Sequence, residues 1–213
     1  MVVVGDLFDW LYGQRGVVPE HLRPVVDAMR ARRRLLWLEG NHDMHVARAL
    51  GPSSIECSDR PVQLTVAGLS LDLRHGDLVD PSQTGYRMLR RFLRSGLMRG
   101  VTGALGPALT QRLGERATWA RHLQDTPLGV DGRKPKWLEA ARAQARTLVG
   151  VDLAVRGHGH WLGWWDEGLV CLGDWLHYRS YLEVDAEGAR LRRFEPDGED
   201  PVLAWGPVGA LPW

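Results

Sequence analysis

The chain reads as an α/β protein: a two-layered mixed β-sheet sandwich flanked by helices. Three observations lead there. Short apolar runs rich in branched residues recur and stop at glycine-bearing turns, as in VVVGD, LLWLEGNHD, LDLRHGD and LAVRGHGH. Stretches of helical periodicity separate some of these runs. Two further pairs of alternating segments meet across Gly-containing turns, which is the signature of hairpins.

Taken in order, Met1–Val4 is a short strand ending at Gly5-Asp6. Residues 19–34 carry apolar residues at helical spacing (Leu22, Val25, Val26, Met29), and Pro19 suits a first helical turn. Leu35–Leu38 is a second strand that runs into Gly40-Asn41-His42-Asp43. Residues 62–66 and 69–73 alternate around Ala67-Gly68, and the second of them ends at His75-Gly76-Asp77. Residues 83–149 read as mostly helical, with breaks at Gly106-Pro107 and around 129–135. This block interrupts the strands, so it is expected to be a cap insertion and not sheet cover. Leu153–Val155 ends at Gly157-His158-Gly159-His160, and Leu169–Leu172 ends at Gly173-Asp174. A last hairpin is expected from 180–185 and 189–194, and the tail from Pro196 has no clear period.

A length of 213 residues suits one domain, here the whole chain with 83–149 as its cap. The formal net charge of +1 gives no electrostatic reason to expect nucleic acid as a partner. Lys134 and Lys136 are the only lysines, so the positive charge is nearly all arginine, whose fork suits phosphate. Cys57 and Cys171 lack CxxC spacing and read as reduced core residues. With no apolar stretch long enough to span a bilayer and no secretory leader pattern, the expected location is the cytoplasm. Sequence alone leaves the oligomeric state open.

The chemistry lies in the four turns. Ligands collect beyond the C-terminal ends of strands in α/β sheets, and a glycine there lets the chain bend so that the next side chain points inward. Asp6 offers two carboxylate oxygens, Asn41 an amide oxygen, and His75, His158 and His160 imidazole nitrogens. Such a mixed N/O set suits Mn, Fe, Zn or Ni and suits calcium poorly. It contains no cysteine, which argues against a structural zinc site. Two cations a few ångströms apart could clamp a phosphate and activate water. Each residue also has a plainer reading, as a turn, capping or loop residue.

GDLFDW, GNHD, HGD and GHGH, in this order, resemble the motifs of the calcineurin-like binuclear metallophosphoesterases, from Gly5 to about Val184. GDLFDW, HGDLVD and CLGDWLHYRSYLEVD are more specifically similar to the UDP-2,3-diacylglucosamine pyrophosphohydrolase branch of that family. The resemblance implies a pair of divalent transition metal ions, with Mn2+ expected. It makes Asp6 the bridging ligand, has Asn41, His75 and His158 complete one metal, and puts His160 on the other. It gives His42 the task of stabilising or protonating the departing oxygen. It implies hydrolysis of a pyrophosphate or phosphodiester bond in a phosphorylated, acylated nucleotide sugar, giving UMP and an acyl-sugar 1-phosphate. The generic alternatives are a phosphodiesterase or phosphomonoesterase, or a non-catalytic relic.

The family also carries an Asp-x-His motif on a strand before GD, and none precedes Gly5 here. Three expectations follow. The chain is N-terminally truncated; or it is a variant with one metal that recruits Asp9 or Asp174; or it is an inactive relative. On the first, a gap in the sheet is expected to leave the chain poorly stable or weakly active.

Asp9, Asp43 and Asp77 are expected to orient the ligands or shape turns. Arg87, Arg91 and Arg94 fall on one face of a helix whose other face holds Leu89, Phe92, Leu93 and Gly96. That helix is either an amphipathic cap with a solvated basic face or a lid that holds acyl chains while arginines meet phosphate or anionic lipid at the membrane's inner face. His177, in the GDW turn, is a candidate for substrate contact or local packing. Of the ten tryptophans, Trp119, Trp137, Trp161, Trp164 and Trp165 are candidates for an amphipathic groove, with core packing as the alternative. His21, His45 and His122 read as ordinary surface or helix positions.

Overall fold

A computed structural model describes residues 1–122 and 135–206. The expected break around 129–135 and the side chain of Trp119 lie largely outside the described residues. The class is as expected: mixed α/β, with several sheets and six α-helices among the described residues. The chain divides into two compact units. Residues 1–60 and 82–122 form the first, and 61–81 and 135–206 the second.

The first unit begins with β1 (Val2–Val4) and β2 (Leu11–Tyr12), followed by α1 (Arg23–Arg30), β3 (Leu35–Leu38), β4 (Asp43–Met44), α2 (Val46–Leu50) and β5 (Ile55–Ser58). Strands β1, β3 and β5 form a parallel sheet in that order, and β2 pairs with β4. Helix α1 is shorter than its periodic stretch. Pro24 sits in its first turn, and Glu20–Leu22 forms a 3₁₀ turn ahead of it. A proline has no N–H to bond backwards, so it starts an α-helix more readily than it continues one. The core gathers Leu11, Val26, Met29, Leu35, Trp37, Val46, Ala49 and Leu50. Strand β3 is buried along its whole length, as a central parallel strand must be.

After the crossover, α3 (Thr84–Leu93), α4 (Gly96–Leu105) and α5 (Pro107–His122) return to the first unit. The break at Gly106-Pro107 falls where the sequence places it. Ser95 caps α4 by accepting the Met98 N–H, a standard use of serine at this position. These helices are inverted in polarity. Thr102, Thr110, Gln111 and Thr118 are buried, while Met88, Leu89, Phe92, Leu97, Val101, Leu105, Leu109 and Leu113 are exposed.

The second unit contains β6 (Val62–Val66), β7 (Leu69–Arg74), α6 (Pro135–Arg146), β8 (Leu153–Arg156), β9 (Leu162–Trp164), β10 (Leu169–Leu172), β11 (Ser180–Asp185), β12 (Gly188–Arg193) and β13 (Val202–Gly206). Its larger sheet has the order β6-β7-β8-β10-β9, parallel through β7, β8 and β10 and antiparallel at both edges. The smaller sheet is β11-β12-β13. Strand β13 lies in the tail that shows no period in the sequence. Helix α6 departs from the cap reading, because Trp137, Ala141 and Ala145 pack with Ala154, Leu169 and Cys171 and so cover the sheet. Burial pushes the thiols of Cys57 and Cys171 up to about 12, which leaves both as inert core groups.

Candidate functional site

Each unit carries part of the expected constellation at its strand ends. In the first, β1 ends at Gly5-Asp6 and β3 at Glu39-Gly40-Asn41-His42. The two strands are adjacent and parallel, with Val4 opposite Leu38, so their ends meet. Asp6 Oδ1 accepts the His42 N–H at 2.8 Å. Gly40 has no room for a side chain: a Cβ there would lie 2.1 Å from Asp6 Oδ1. Asp43 turns inward and is fully buried. Its carboxylate accepts N–H groups from Leu7, Gly40 and the Trp37 indole. Burial, with the Asp6 carboxylate nearby, pushes its pKa up to about 6.

His42 is held by its ring. Nδ1 lies 2.8 Å from the Asp9 carbonyl oxygen. A carbonyl oxygen only accepts, so Nδ1 carries the hydrogen and Nε2 keeps the lone pair. Asp9 thus acts through its backbone, and its own side chain is exposed. Glu39, which the sequence reading passed over, is buried before the turn. Its carboxylate accepts the N–H groups of His45 and Val46 and pairs with Arg94 at 2.6 Å.

In the second unit, β7 ends at His75 and β8 at Arg156-Gly157-His158. These strands are also adjacent and parallel, with Arg74 opposite Arg156. The rings of His75 and His158 meet edge to face, 5.1 Å between centroids, and their ligating nitrogens lie within 4.8 Å of each other. The Trp137 indole N–H donates to the Gly76 carbonyl at 2.8 Å, and its ring lies against His158. Trp137 is therefore core support for both histidine turns, and it lines no groove. Asp77 is buried beside His75 in sequence. Arg156, fully buried, pairs with Asp72 at 2.8 Å and donates to the carbonyl of Asp72, so the two strand ends are locked in register. His177 is half-exposed and bonds Asp174 through both its N–H and its Nδ1.

Among the described residues, seven that are not glycine have positive φ, and Asp6 (51°), His158 (57°) and His160 (54°) are three of them. Bulky residues avoid this region, and such strain gathers where side chains must be aimed. Asp6, His75 and His158 each present one atom suited to a divalent ion. Within each unit these donor types, carboxylate in the first and imidazole in the second, are those of borderline transition metals and not of an all-oxygen calcium cage.

Arg87 and Arg91 are exposed on α3. Arg94 faces the other way and is one-tenth exposed, engaged with Glu39 and with the Gly40 carbonyl. The structure thus assigns it to the Gly40 turn and not to the solvated face.

No family model matches the chain. It is similar to the UDP-2,3-diacylglucosamine hydrolase of Pseudomonas entomophila (strain L48), at 24% identity over 208 residues, covering 92% of this chain and 85% of the relative. The hydrolase of the same name from Pseudomonas aeruginosa (strain UCBPP-PA14) is 25% identical over 208 residues, 91% of this chain and 85% of its own. That of Aeromonas salmonicida (strain A449) is 26% identical over 208 residues, 91% of this chain and 80% of its own. The chain is thus similar, over nine-tenths of its length, to proteins named as hydrolases of UDP-2,3-diacylglucosamine. The relatives span both units, so the motifs on β1, β3, β7 and β8 belong to one continuous similarity.

Proposed function

We propose that the chain hydrolyses the pyrophosphate bond of UDP-2,3-diacylglucosamine, giving UMP and the acyl-sugar 1-phosphate. The observation that carries this reading is a similarity covering nine-tenths of the chain, to relatives named for that substrate, together with strand-end turns that bear suitable ligands. By the resemblance, Asp6, Asn41, His75 and His158 would hold one cation, and His160, with Asp6 bridging, a second. The expected metal is Mn2+. Divalent cations would offset charge on the phosphoryl oxygens and lower the pKa of water.

The protein's own residues do the rest. Asp6 is held by the His42 N–H, which fixes the plane of its carboxylate. His42, anchored through Nδ1 to the Asp9 carbonyl, keeps Nε2 for the oxygen that leaves with UMP or the sugar phosphate. Protonated there, it donates to that oxygen as the P–O bond lengthens. Arg87 and Arg91 face phosphate or anionic headgroups, and the exposed apolar side chains of α3–α5 receive the acyl chains or the lipid surface. His177 contacts the substrate from the turn after β10. No helix among the described residues is long and apolar enough to cross a membrane. The enzyme works in the cytoplasm, at the inner face of the membrane.

The test is turnover of detergent-dispersed UDP-2,3-diacylglucosamine with added Mn2+, beside a small chromogenic phosphodiester. Metal-dependent release of UMP, lost in Asn41→Ala and reduced roughly 100- to 10,000-fold in His42→Ala, is expected. Equal activity on the small ester would replace the substrate with a generic phosphodiester. A wild-type chain that binds no divalent metal and turns over neither compound would overturn the enzymatic reading.

A further inference from the structure

We infer that Arg94 is a positioning residue for the Gly40–Asp43 turn, acting through Glu39 and the Gly40 carbonyl. The inference rests on the reading that this turn presents Asn41 to a metal and His42 to the leaving oxygen.

Arg94 terminates α3, in the C-cap position. Its Nη1 bonds Glu39 Oε2 at 2.6 Å and its Nη2 bonds the Gly40 carbonyl at 2.8 Å. Both side chains are nearly buried, at 10% and 7% exposed, so the pair is shielded from solvent and salt. Glu39 uses its remaining capacity on the N–H groups of His45 and Val46. These are needed there because α2 begins at His45 with left-handed backbone and no capping side chain of its own. The turn is therefore gripped at two levels. Asp43 holds it from inside through the Gly40 N–H, and Arg94 holds it from α3 through the Gly40 carbonyl. Both holds meet at Gly40, and Asn41 and His42 lie in sequence between it and Asp43.

The junction that delivers Arg94 is itself tied down. Arg99 donates to the Arg94 carbonyl at 3.1 Å, and the Tyr12 hydroxyl donates to the carbonyl of Leu93 at 3.0 Å. One arginine thus links the helices with the exposed apolar face to the peptide that carries Asn41. Lysine cannot replace it, because a single ammonium does not span two acceptors in the geometry of a guanidinium fork.

The experiment compares wild type with Arg94→Lys, Arg94→Met and the double variant Glu39→Gln/Arg94→Met. The double variant removes both charges and so avoids leaving a buried carboxylate unpaired. Mn2+ affinity is measured by calorimetry, and kcat and KM with the acylated UDP-sugar, at a temperature where circular dichroism shows every variant folded. Affinity for Mn2+ is expected to weaken about 10- to 100-fold in Arg94→Met and in the double variant, the range for groups that orient metal ligands, with kcat falling and KM little changed. Arg94→Lys is expected to recover only part of this. A raised KM with unchanged kcat and unchanged Mn2+ affinity would make Arg94 a substrate contact and overturn the inference. So would variants that keep wild-type values for all three. If wild type itself binds no Mn2+, the metal reading falls first and the positioning role falls with it. If wild type binds and the variants bind equally well, this inference alone is lost.

Discussion

Trp137 and Gly159 show how closely single residues are matched around the histidines. A Cβ on Gly159 would lie 2.2 Å from the Trp137 ring, and Trp137 is 1% exposed with nowhere to move. Gly159→Ala is expected to destabilise the fold by about 1–3 kcal/mol, the usual cost of forcing atoms into a packed core. Urea denaturation monitored by circular dichroism measures this, and a midpoint within error of wild type would show that the indole yields. Trp137→Phe tests the other half of the contact. It keeps the apolar body but leaves the Gly76 carbonyl without its indole donor, at a cost of about 1–3 kcal/mol. At this scale the GHGH glycine was legible in the sequence as a sharp turn. Its partner was not, because the indole comes from a helix more than twenty residues upstream and nothing local marks it.

Among the elements, those that sequence reading found are the ones whose burial alternates or whose turns are punctuated. The β6–β7 and β11–β12 hairpins have their expected positions, and α4 stops at the Gly106-Pro107 break. Strands β2, β4 and β9 are two or three residues long, too short to show a period, and exist because a neighbour supplies the pairing. Strand β13 was missed because its partner β12, and not its own pattern, defines it. The same limit hid the support of the site. Asp6, Asn41, His75 and His158 stand in motifs, whereas Glu39 and Arg94 are 55 residues apart and meet only in space. The lock between β7 and β8 gives a measurable consequence. Burial raises the pKa of Asp72, but the hydrogen bond from Arg74 and the charge of Arg156 outweigh it and hold the carboxyl below its ordinary value. A depressed carboxylate contributes stability above its unfolded pKa and loses it as pH falls through the folded one. Asp72→Asn is therefore expected to cost about 3–5 kcal/mol at neutral pH, since Arg156 is left buried with its charge uncompensated. The gap from wild type should close below the ordinary carboxylate range. Denaturation midpoints at pH 7 and near pH 2–3 decide it, and a gap that is the same at both would sink the argument.

The whole molecule poses one further problem, which is why α4 and α5 face threonines and a glutamine inward while α3, α4 and α5 all turn large apolar residues outward. Met88 is 74% exposed, Leu97 69% and Phe92 49%, values that are costly for a surface meant only for water. Apart from Arg94, which pairs with Glu39, residues Thr84 to Thr118 hold six arginines (Arg87, Arg90, Arg91, Arg99, Arg112 and Arg116) against a single acidic residue, Glu115. Apolar side chains edged by basic ones are what an anionic lipid surface attracts, each arginine near it contributing on the order of 1 kcal/mol. Under the proposed function the same face receives an acylated substrate, so one surface serves both tasks. Sedimentation with vesicles containing phosphatidylglycerol is expected to carry the wild-type chain down. Phosphatidylcholine vesicles should carry less, because the basic contribution is lost. Met88→Gln/Phe92→Gln should weaken both, with no loss of thermal stability, since neither residue is buried. Turnover of a small phosphodiester should be unchanged in that variant while turnover of the acylated nucleotide sugar falls. Binding indifferent to both lipid charge and the substitutions would mean that the inverted helices face something other than a membrane.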